Sequence, residues 1–339
     1  MKQWMKYIKP YWVFFLVGPL CMIIEVIGEV VMPKLLAEII NNAQSGELTV
    51  PSSIWIMVLM VLTAIIMMAG GVGGAYFGAK ASVNFATDLR ADLYRRIQYF
   101  SFNNIDRFST SSLVTRLTND VTQMQNFINM LLRMALRAPG MMIAALIMAI
   151  RMNASLSIIL AIVMPILFLF VGGLILIGFP RFTKMQEKVD ALNSTVQENV
   201  TNVRVVKSFV REEFETEKFK TANGNLKKAG LSAFNVMIFM SPVMSLIMDI
   251  SIGVVIWLGA KTVLNGDMLI GDLSAFVTYV SQILFSLMMV TFLLMFSARA
   301  FASAKRIKEI LNEKIDLTDE NAAYPDKKIE NGEIEFEIK

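Results

Sequence analysis

The chain has 339 residues, 55% of them hydrophobic, and a formal net charge of +4, which gives no indication of a nucleic-acid partner. Its single cysteine, Cys21, and its lack of histidine exclude an intrachain disulfide and remove the commonest metal ligand and general base, so neither a metal site nor a catalytic site is expected. A mean hydropathy of +0.56, with the apolar residues grouped in long blocks, is typical of a membrane protein.

The N-terminal segment, residues 1–10 (MKQWMKYIKP), is predicted to form a short amphipathic helix in the membrane interface. Trp4 and Tyr7 suit an interfacial aromatic belt, and the lysines suit a headgroup-facing surface. We expect this elbow helix to lead into the first membrane span.

Six apolar segments follow, each long enough to cross a hydrocarbon core of about 30 Å as a helix. None alternates as a barrel strand does, and isolated strands cannot cross lipid, so the predicted fold class is an all-α membrane protein. The six-helix domain is expected to cover residues 11–312. Its predicted spans lie at about 11–40, 54–79, 131–150, 156–179, 238–260 and 273–296.

The distribution of lysine and arginine predicts the orientation of these spans. Of the 32 basic residues, only Lys34, Arg151 and Lys261 fall on one side. The positive-inside rule therefore places both termini and the two long connections in the cytosol. We expect a multi-pass protein of a bacterial plasma membrane.

The two long connections between spans are predicted to be helical. In the first, one apolar stripe runs among charged residues and consists of Phe85, Leu89, Leu93 and Ile97. About 25 residues of continued helix would extend the spans roughly 35–40 Å beyond the membrane. We therefore predict helical stalks that turn at two short breaks, residues 106–112 and 209–217.

The tail, residues 313–339, is polar and ends in the alternating sequence EIEFEI, which is typical of a strand. The sequence predicts a linker followed by the first strand of another domain. We expect the chain either to be a fragment or to work with a domain supplied elsewhere.

Four motifs, in order along the chain, resemble the membrane domain of type IV ABC exporters, the multidrug-exporter family. They are LVTRLTNDV at 113–121, ENVTNVRVVKSFVREEFETEKF at 198–219, GDMLIGDL at 266–273 and ASAKRI at 302–307. The sequence Thr-Ser-Ser at 110–112 replaces part of the usual glycine–acid pattern. With this variant the chain is most similar to one half of bacterial heterodimeric multidrug exporters.

The resemblance implies a six-helix half that pairs with a second six-helix subunit, a heterodimer being favoured over a homodimer. It also implies nucleotide-binding domains that bind ATP and Mg²⁺, and a chain that ends where such a domain begins. The expected activity is alternating-access export of hydrophobic or amphipathic compounds, such as drugs, lipids or peptides. The chain itself has no phosphate-binding Walker motif or signature motif, so we do not expect it to hydrolyse ATP alone.

The resemblance further implies that the two breaks are coupling helices that contact the nucleotide-binding domains. Charged groups beside single aromatic residues suit such a contact, although a charge run by itself is more often a solvated turn. The expected coupling residues are Asp106, Arg107, Phe108, Ser109, Thr110, Phe209, Arg211, Glu212, Glu213 and Phe214.

A row of glycines, Gly70, Gly74 and Gly78, lies in the second span. Small residues at this spacing predict close packing of membrane helices. A phosphate-binding loop is not favoured, because Gly78 is followed by Ala-Lys rather than by Lys-Ser or Lys-Thr.

Three carboxylates, Glu25, Glu29 and Asp249, fall within the spans. Ionisable groups at membrane depth either face a water-filled cavity or pair with a partner. A cavity would suit cationic amphipathic compounds, whereas a structural role would pair the carboxylates with Lys34, Arg133 or Arg137. Both alternatives are open at this point.

The cavity is also expected to contain flexible and aromatic side chains, which adapt to varied apolar ligands. The residues chosen for this lining on the sixth span are Phe292, Met295 and Phe296.

Two other function classes compete with the exporter. One is a secondary transporter or channel that uses the membrane carboxylates for ion or proton coupling, a class that gives no reason for the stalks. The other is a membrane scaffold that does not transport.

Overall fold

The computed structural model describes residues 2–315, except for the side chains of Lys2, Phe292, Leu294, Met295 and Ala298. The predicted strand near the C-terminus therefore lies outside the described residues, as does most of the predicted linker.

The described residues are almost entirely helical and contain no strand, so the predicted all-α fold class is confirmed. A 3-10 turn at Lys9–Tyr11 and a π-helical turn at Arg116–Asp120 join neighbouring helices. The helices are α1 (Lys2–Ile8), α2 (Trp12–Ser45), α3 (Val50–Gln98), α4 (Phe102–Phe108), α5 (Thr110–Thr115), α6 (Val121–Met134), α7 (Arg137–Met152), α8 (Ala154–Thr201), α9 (Val203–Ser208), α10 (Glu212–Leu264) and α11 (Ile270–Asn312).

Within residues 2–315, six helical stretches are long and apolar enough to cross a membrane, in agreement with the six predicted spans. The third of these stretches, Thr110–Met152, includes the predicted span at 131–150 and contains a short turn, because α6 ends at Met134 and α7 begins at Arg137. Pro139 explains the turn, since its ring conflicts with the carbonyl group of Ala135 and it has no N–H to donate.

The helices continue well beyond the predicted spans. Helix α3 runs on to Gln98, α8 runs on to Thr201, and α10 begins at Glu212. Three other connections between long helices are short. Asn153, between α7 and α8, caps α8 by accepting a hydrogen bond from the amide of Leu156 at 3.0 Å. Long helical extensions and short connections therefore alternate along the chain, in the predicted order.

The described residues form two compact units. The first unit consists of residues 2–25, 68–137 and 292–315. Its core joins α1, α3, α6 and α11, and the apolar stripe predicted on α3 lies at its centre, with Ile97 only partly buried at its edge. The buried core residues include Tyr7, Phe85, Leu89, Leu93, Val121, Ile128, Leu132, Ile307 and Ile310.

The second unit consists of residues 26–67 and 138–291. Its core joins parts of α2, α7, α8, α10 and α11. Helix α11 supplies several fully buried side chains of this core, among them Phe276, Tyr279, Val280, Ile283 and Leu284.

Polar contacts attach α2 to α11 within the second unit. The Asn41 side chain accepts a hydrogen bond from the amide of Gly271 at 2.8 Å and donates one to Asp272 at 3.1 Å. The Tyr279 hydroxyl donates to the carbonyl oxygen of Val30 at 2.8 Å. These bonds supply partners for polar groups that lipid would leave unsatisfied.

The glycine row packs α3 against α2, as predicted. A Cβ atom on Gly70 would lie 2.8 Å from the carbonyl oxygen of Cys21, and one on Gly74 would overlap the side chain of Met22. Only glycine allows the two backbones to approach this closely. Because the row is part of a packed helix, it does not form a phosphate-binding loop.

Candidate functional site

The first stalk tip, residues 99–120, is a compact turn built by a capping box. Ser101 accepts a hydrogen bond from the amide of Asn104, and the Asn104 side chain accepts one from the amide of Ser101 at 3.1 Å. Helix α4 therefore begins at Phe102 and ends at Phe108, and the next residue, Ser109, has a positive φ of 57°. Ser109 lies inside the break predicted at 106–112, whereas the short helix α4 begins four residues before that break.

The predicted coupling residues of this tip divide into exposed and packed groups. Asp106, Arg107, Ser109 and Thr110 are exposed. Phe108 is half-buried, because its ring stacks on Phe100 with centroids 5.8 Å apart.

Phe102 is the most exposed aromatic residue of the first tip, and the sequence reasoning missed it. Its side chain is 87% exposed. The capping box formed by Ser101 and Asn104 was the available signal, since it places Phe102 in the first turn of α4, where few neighbours can cover it.

A network of ion pairs and hydrogen bonds attaches the first tip to the end of α11. Asp120, whose side chain is only 2% exposed, accepts hydrogen bonds from Ser303 Oγ at 2.9 Å and from Arg306 Nε at 2.8 Å. Arg116 Nη1 donates to the Arg306 carbonyl oxygen at 2.7 Å and to Glu309 Oε2 at 2.9 Å. The hydrogen bond to Asp120 raises the pKa of the Arg306 guanidinium.

A second group of contacts fixes the residues that follow α11. Arg107 Nη1 lies 2.7 Å from Glu313 Oε1, and Arg96 Nη2 donates to the Glu313 carbonyl oxygen at 2.6 Å. Asn104 Nδ2 donates to the carbonyl oxygen of Lys314 at 3.1 Å. The residues that follow the C-terminal end of α11 are therefore bound by side chains of both α3 and α4.

The second stalk tip, residues 202–217, contains a short helix whose position differs from the prediction. The helix is α9, Val203–Ser208, whereas the break predicted as a coupling helix lies at 209–217. Val210, with a φ of 52°, forms the turn, and Glu212 already begins α10. The backbone of Asn202 is not helical, so α8 ends just before it. The amino-acid composition alone gives no sign that the helix ends there.

The predicted residues of the second tip lie in this turn and in the first turn of α10. Phe209, Val210 and Phe214 are exposed, and Arg211 and Glu213 are exposed as well. Glu212, in contrast, forms an ion pair with another residue of the same tip.

Charged contacts hold the second tip together. Glu212 Oε1 lies 2.9 Å from Lys207 Nζ, and the hydrogen bond from that lysine lowers the pKa of the glutamate. Lys218 Nζ lies 2.8 Å from Glu198, whose hydrogen bond raises the pKa of the lysine. A cavity of about 420 Å³ lies between α8, α9 and α10, with Phe219 in its wall.

The three membrane carboxylates have different surroundings. Glu25 Oε1 lies 3.2 Å from Arg137 Nη2, which is one of the structural pairs considered from the sequence. The carbonyl oxygen of Glu29 accepts a hydrogen bond from Gln282 at 3.0 Å. Asp249 is exposed on α10 and belongs to none of the ion pairs found among the described residues.

The three predicted lining residues of α11 can be placed only in part. Phe296 is 50% exposed. The side chains of Phe292 and Met295 lie outside the described residues, so their part in a cavity stays a prediction.

Comparisons with known proteins agree with this geometry. The family model for the ABC transporter transmembrane region matches residues 15–288. The chain is 34% identical over 320 residues to the uncharacterised ABC transporter ATP-binding protein YfiB of Bacillus subtilis, covering 94% of this chain and 56% of that protein.

Two further relatives match over similar lengths. The uncharacterised ABC transporter ATP-binding protein Rv1273c of Mycobacterium tuberculosis is 31% identical over 321 residues, covering 94% of this chain and 55% of that protein. The ATP-dependent lipid A-core flippase of Acinetobacter baylyi is 28% identical over 284 residues, covering 81% of this chain and 47% of the flippase. The chain thus spans about half the length of the curated relatives it matches.

The chain belongs to the family of ABC transporter transmembrane regions, of the exporter type. It is a multi-pass membrane protein, in agreement with its six long apolar helices.

Proposed function

We propose that this chain is the membrane half of an ATP-driven exporter that moves hydrophobic or amphipathic compounds out of the cell. The observation that carries the proposal is the pair of stalk tips, both held by hydrogen bonds and ion pairs and both presenting exposed aromatic residues, at the ends of helices that continue from the membrane spans. Exposed aromatic side chains at the centre of a polar surface are typical of protein contacts.

The proposed partners of the stalk tips are nucleotide-binding domains in the cytosol, which would bind ATP and Mg²⁺. The ATP-binding relatives support this proposal. ATP would supply the energy in those domains, and their movement would be passed to the stalk tips of this chain. Asp120, Arg116 and Arg306 would make the first tip and the exit of α11 move together.

The proposed second membrane partner is another six-helix half, in a heterodimer rather than a homodimer. Asp249 supports the need for such a partner. A carboxylate at membrane depth is too costly to face lipid, so its exposed surface must adjoin a partner helix or a water-filled pathway.

The proposed cargo contact is also Asp249. Glu25 is paired with Arg137 and is therefore less suited to attract a cation. Ser241 and Ser245 precede Asp249 at intervals of four residues on α10 and are exposed, so the three side chains form one polar face. Such a face can accept the ammonium group of an amphipathic cation.

The proposal is tested by the ATPase rate of the assembled transporter in proteoliposomes. Amphipathic cations should raise the rate, and Asp249→Asn should raise the cation concentration for half-maximal stimulation by about tenfold, as expected for one lost charge contact. Asp267→Asn makes the same chemical change in the exposed turn before α11 and should leave stimulation unchanged. A flat response to a broad panel of amphipathic compounds would contradict the proposed cargo.

A further inference from the structure

We propose that Lys80, Tyr76 and Phe14 form a binding site for the headgroup of an anionic phospholipid in the cytosolic leaflet. We name these three residues the leaflet site. The inference rests on the proposed orientation of the spans but not on ATP coupling or on the cargo.

The leaflet site holds its cation against aromatic rings. Lys80 Nζ lies 4.8 Å from the ring centroid of Phe14 and 5.7 Å from that of Tyr76. Phe77 supports both rings, with centroid distances of 6.1 Å to Phe14 and 5.3 Å to Tyr76. Cation–π contacts orient an ammonium group but leave its hydrogen bonds unused.

The protein supplies no anion to Lys80 among the described ion pairs and hydrogen bonds, and this lysine is exposed. The acidic groups further along α3 already have partners. Asp92 accepts hydrogen bonds from Lys6 and Tyr7, and Asp88 interacts electrostatically with the Tyr11 hydroxyl. Lys80 is thus a positive charge that needs an anion from outside the chain.

The packing of α1 indicates the depth of the leaflet site. Trp4 and Tyr7 of this elbow helix pack on Phe85, with ring centroids 6.2 Å and 5.8 Å apart. An amphipathic interfacial helix lies at the boundary between headgroups and acyl chains. Lys80 precedes Phe85 by five residues, or about 7.5 Å along α3 towards the span, so its flexible side chain reaches the phosphate level.

An anionic lipid fits this site better than a zwitterionic one. A zwitterionic headgroup carries its own ammonium group, which would compete with Lys80 for the phosphate. Lys9, exposed in the turn after α1, adds to the positive charge of the same segment. Basic residues at the cytosolic surface favour anionic lipids in this way.

The test measures thermal unfolding of the purified protein in a nonionic detergent, with additions of phosphatidylglycerol, phosphatidylcholine or inorganic phosphate. Phosphatidylglycerol should raise the Tm, whereas phosphatidylcholine and inorganic phosphate should not. Lys80→Gln should require about fivefold more phosphatidylglycerol for the same shift, because one interfacial charge contact is lost. Lys80→Arg should keep the wild-type response.

Lys220→Gln is the matched control, since it removes an exposed charge on α10 that lies about 27 Å before the predicted span. It should respond to phosphatidylglycerol as wild type does. Equal responses of Lys80→Gln and wild type would overturn the proposal. An equal shift with phosphatidylcholine, or with inorganic phosphate, would overturn the choice of an anionic lipid. None of these results would bear on ATP-driven export.

Discussion

Asp120 is the residue on which the structure of the first stalk tip most depends. It lies almost completely buried between the π-helical turn and α11, where it accepts hydrogen bonds from Ser303 and Arg306. A buried carboxylate with these partners stabilises one arrangement of the two segments, and losing its charge leaves the partners unsatisfied.

We predict that Asp120→Asn lowers the free energy of unfolding by about 1–2 kcal/mol. The value lies below the range for a fully buried pair, because the Arg306 side chain is 46% exposed and can be hydrated when its partner is lost. The measurement is the Tm of the purified protein, with an expected fall of about 2–6 °C.

Asp190→Asn is the control for this variant, since Asp190 is exposed on the α8 stalk and, among the described residues, hydrogen-bonds to Gln186 of the same helix alone. Its Tm should change by less than about 1 °C. If Asp120→Asn melts at the wild-type temperature, the network does not stabilise the tip.

Single residues were predictable from the sequence where one physical rule decided their environment. The close approach of α2 and α3 at Gly70 and Gly74 followed from residue size alone. The partner of Glu25 did not, because Lys34, Arg133 and Arg137 were all plausible, and only the packing of α2 near α7 selects Arg137. Phe102 was overlooked because exposure depends on tertiary packing.

At the scale of helices, the stalks were predictable because the stripe of Phe85, Leu89 and Leu93 continues the helical period beyond the apolar span. Two boundaries were not predicted. The break between α6 and α7 depends on a proline inside an otherwise apolar stretch, and α9 depends on the backbone at Asn202. In both cases a local backbone effect interrupts the helix, although the hydrophobic pattern of the sequence continues through the break.

The stalk tips carry the prediction that belongs to this scale. Phe102→Ala and Phe209→Ala should each reduce transport per ATP hydrolysed by about tenfold, since a lost aromatic anchor costs an interface more than about 1 kcal/mol. Both side chains are exposed, so the Tm should stay within about 1 °C of wild type. The measurement compares substrate flux with ATPase rate in proteoliposomes.

Tyr94→Ala provides the comparison for these variants, because Tyr94 is an exposed aromatic residue on the α3 stalk before the first tip. Its transport per ATP should match wild type. Coupling that survives in both phenylalanine variants would remove the stalk tips from the proposed contact.

At the scale of the whole molecule, six spans and two long helical extensions were contained in the order of apolar and charged residues, whereas the orientation of the spans stays a prediction. Membership of the ABC transporter transmembrane family agrees with that order. The identity of the cargo could not be predicted from the sequence, because the cargo would bind to surfaces that a second half would complete. Under the proposed function, the exposed Asp249 would favour a cationic cargo.

The claim that ATP drives export is tested most directly in inside-out membrane vesicles that contain the complete transporter. Uptake of an amphipathic cation should require ATP and should persist when a protonophore removes the pH gradient. Uptake that an imposed pH gradient drives without ATP, and that the protonophore stops, would contradict the account and favour ion-coupled secondary transport.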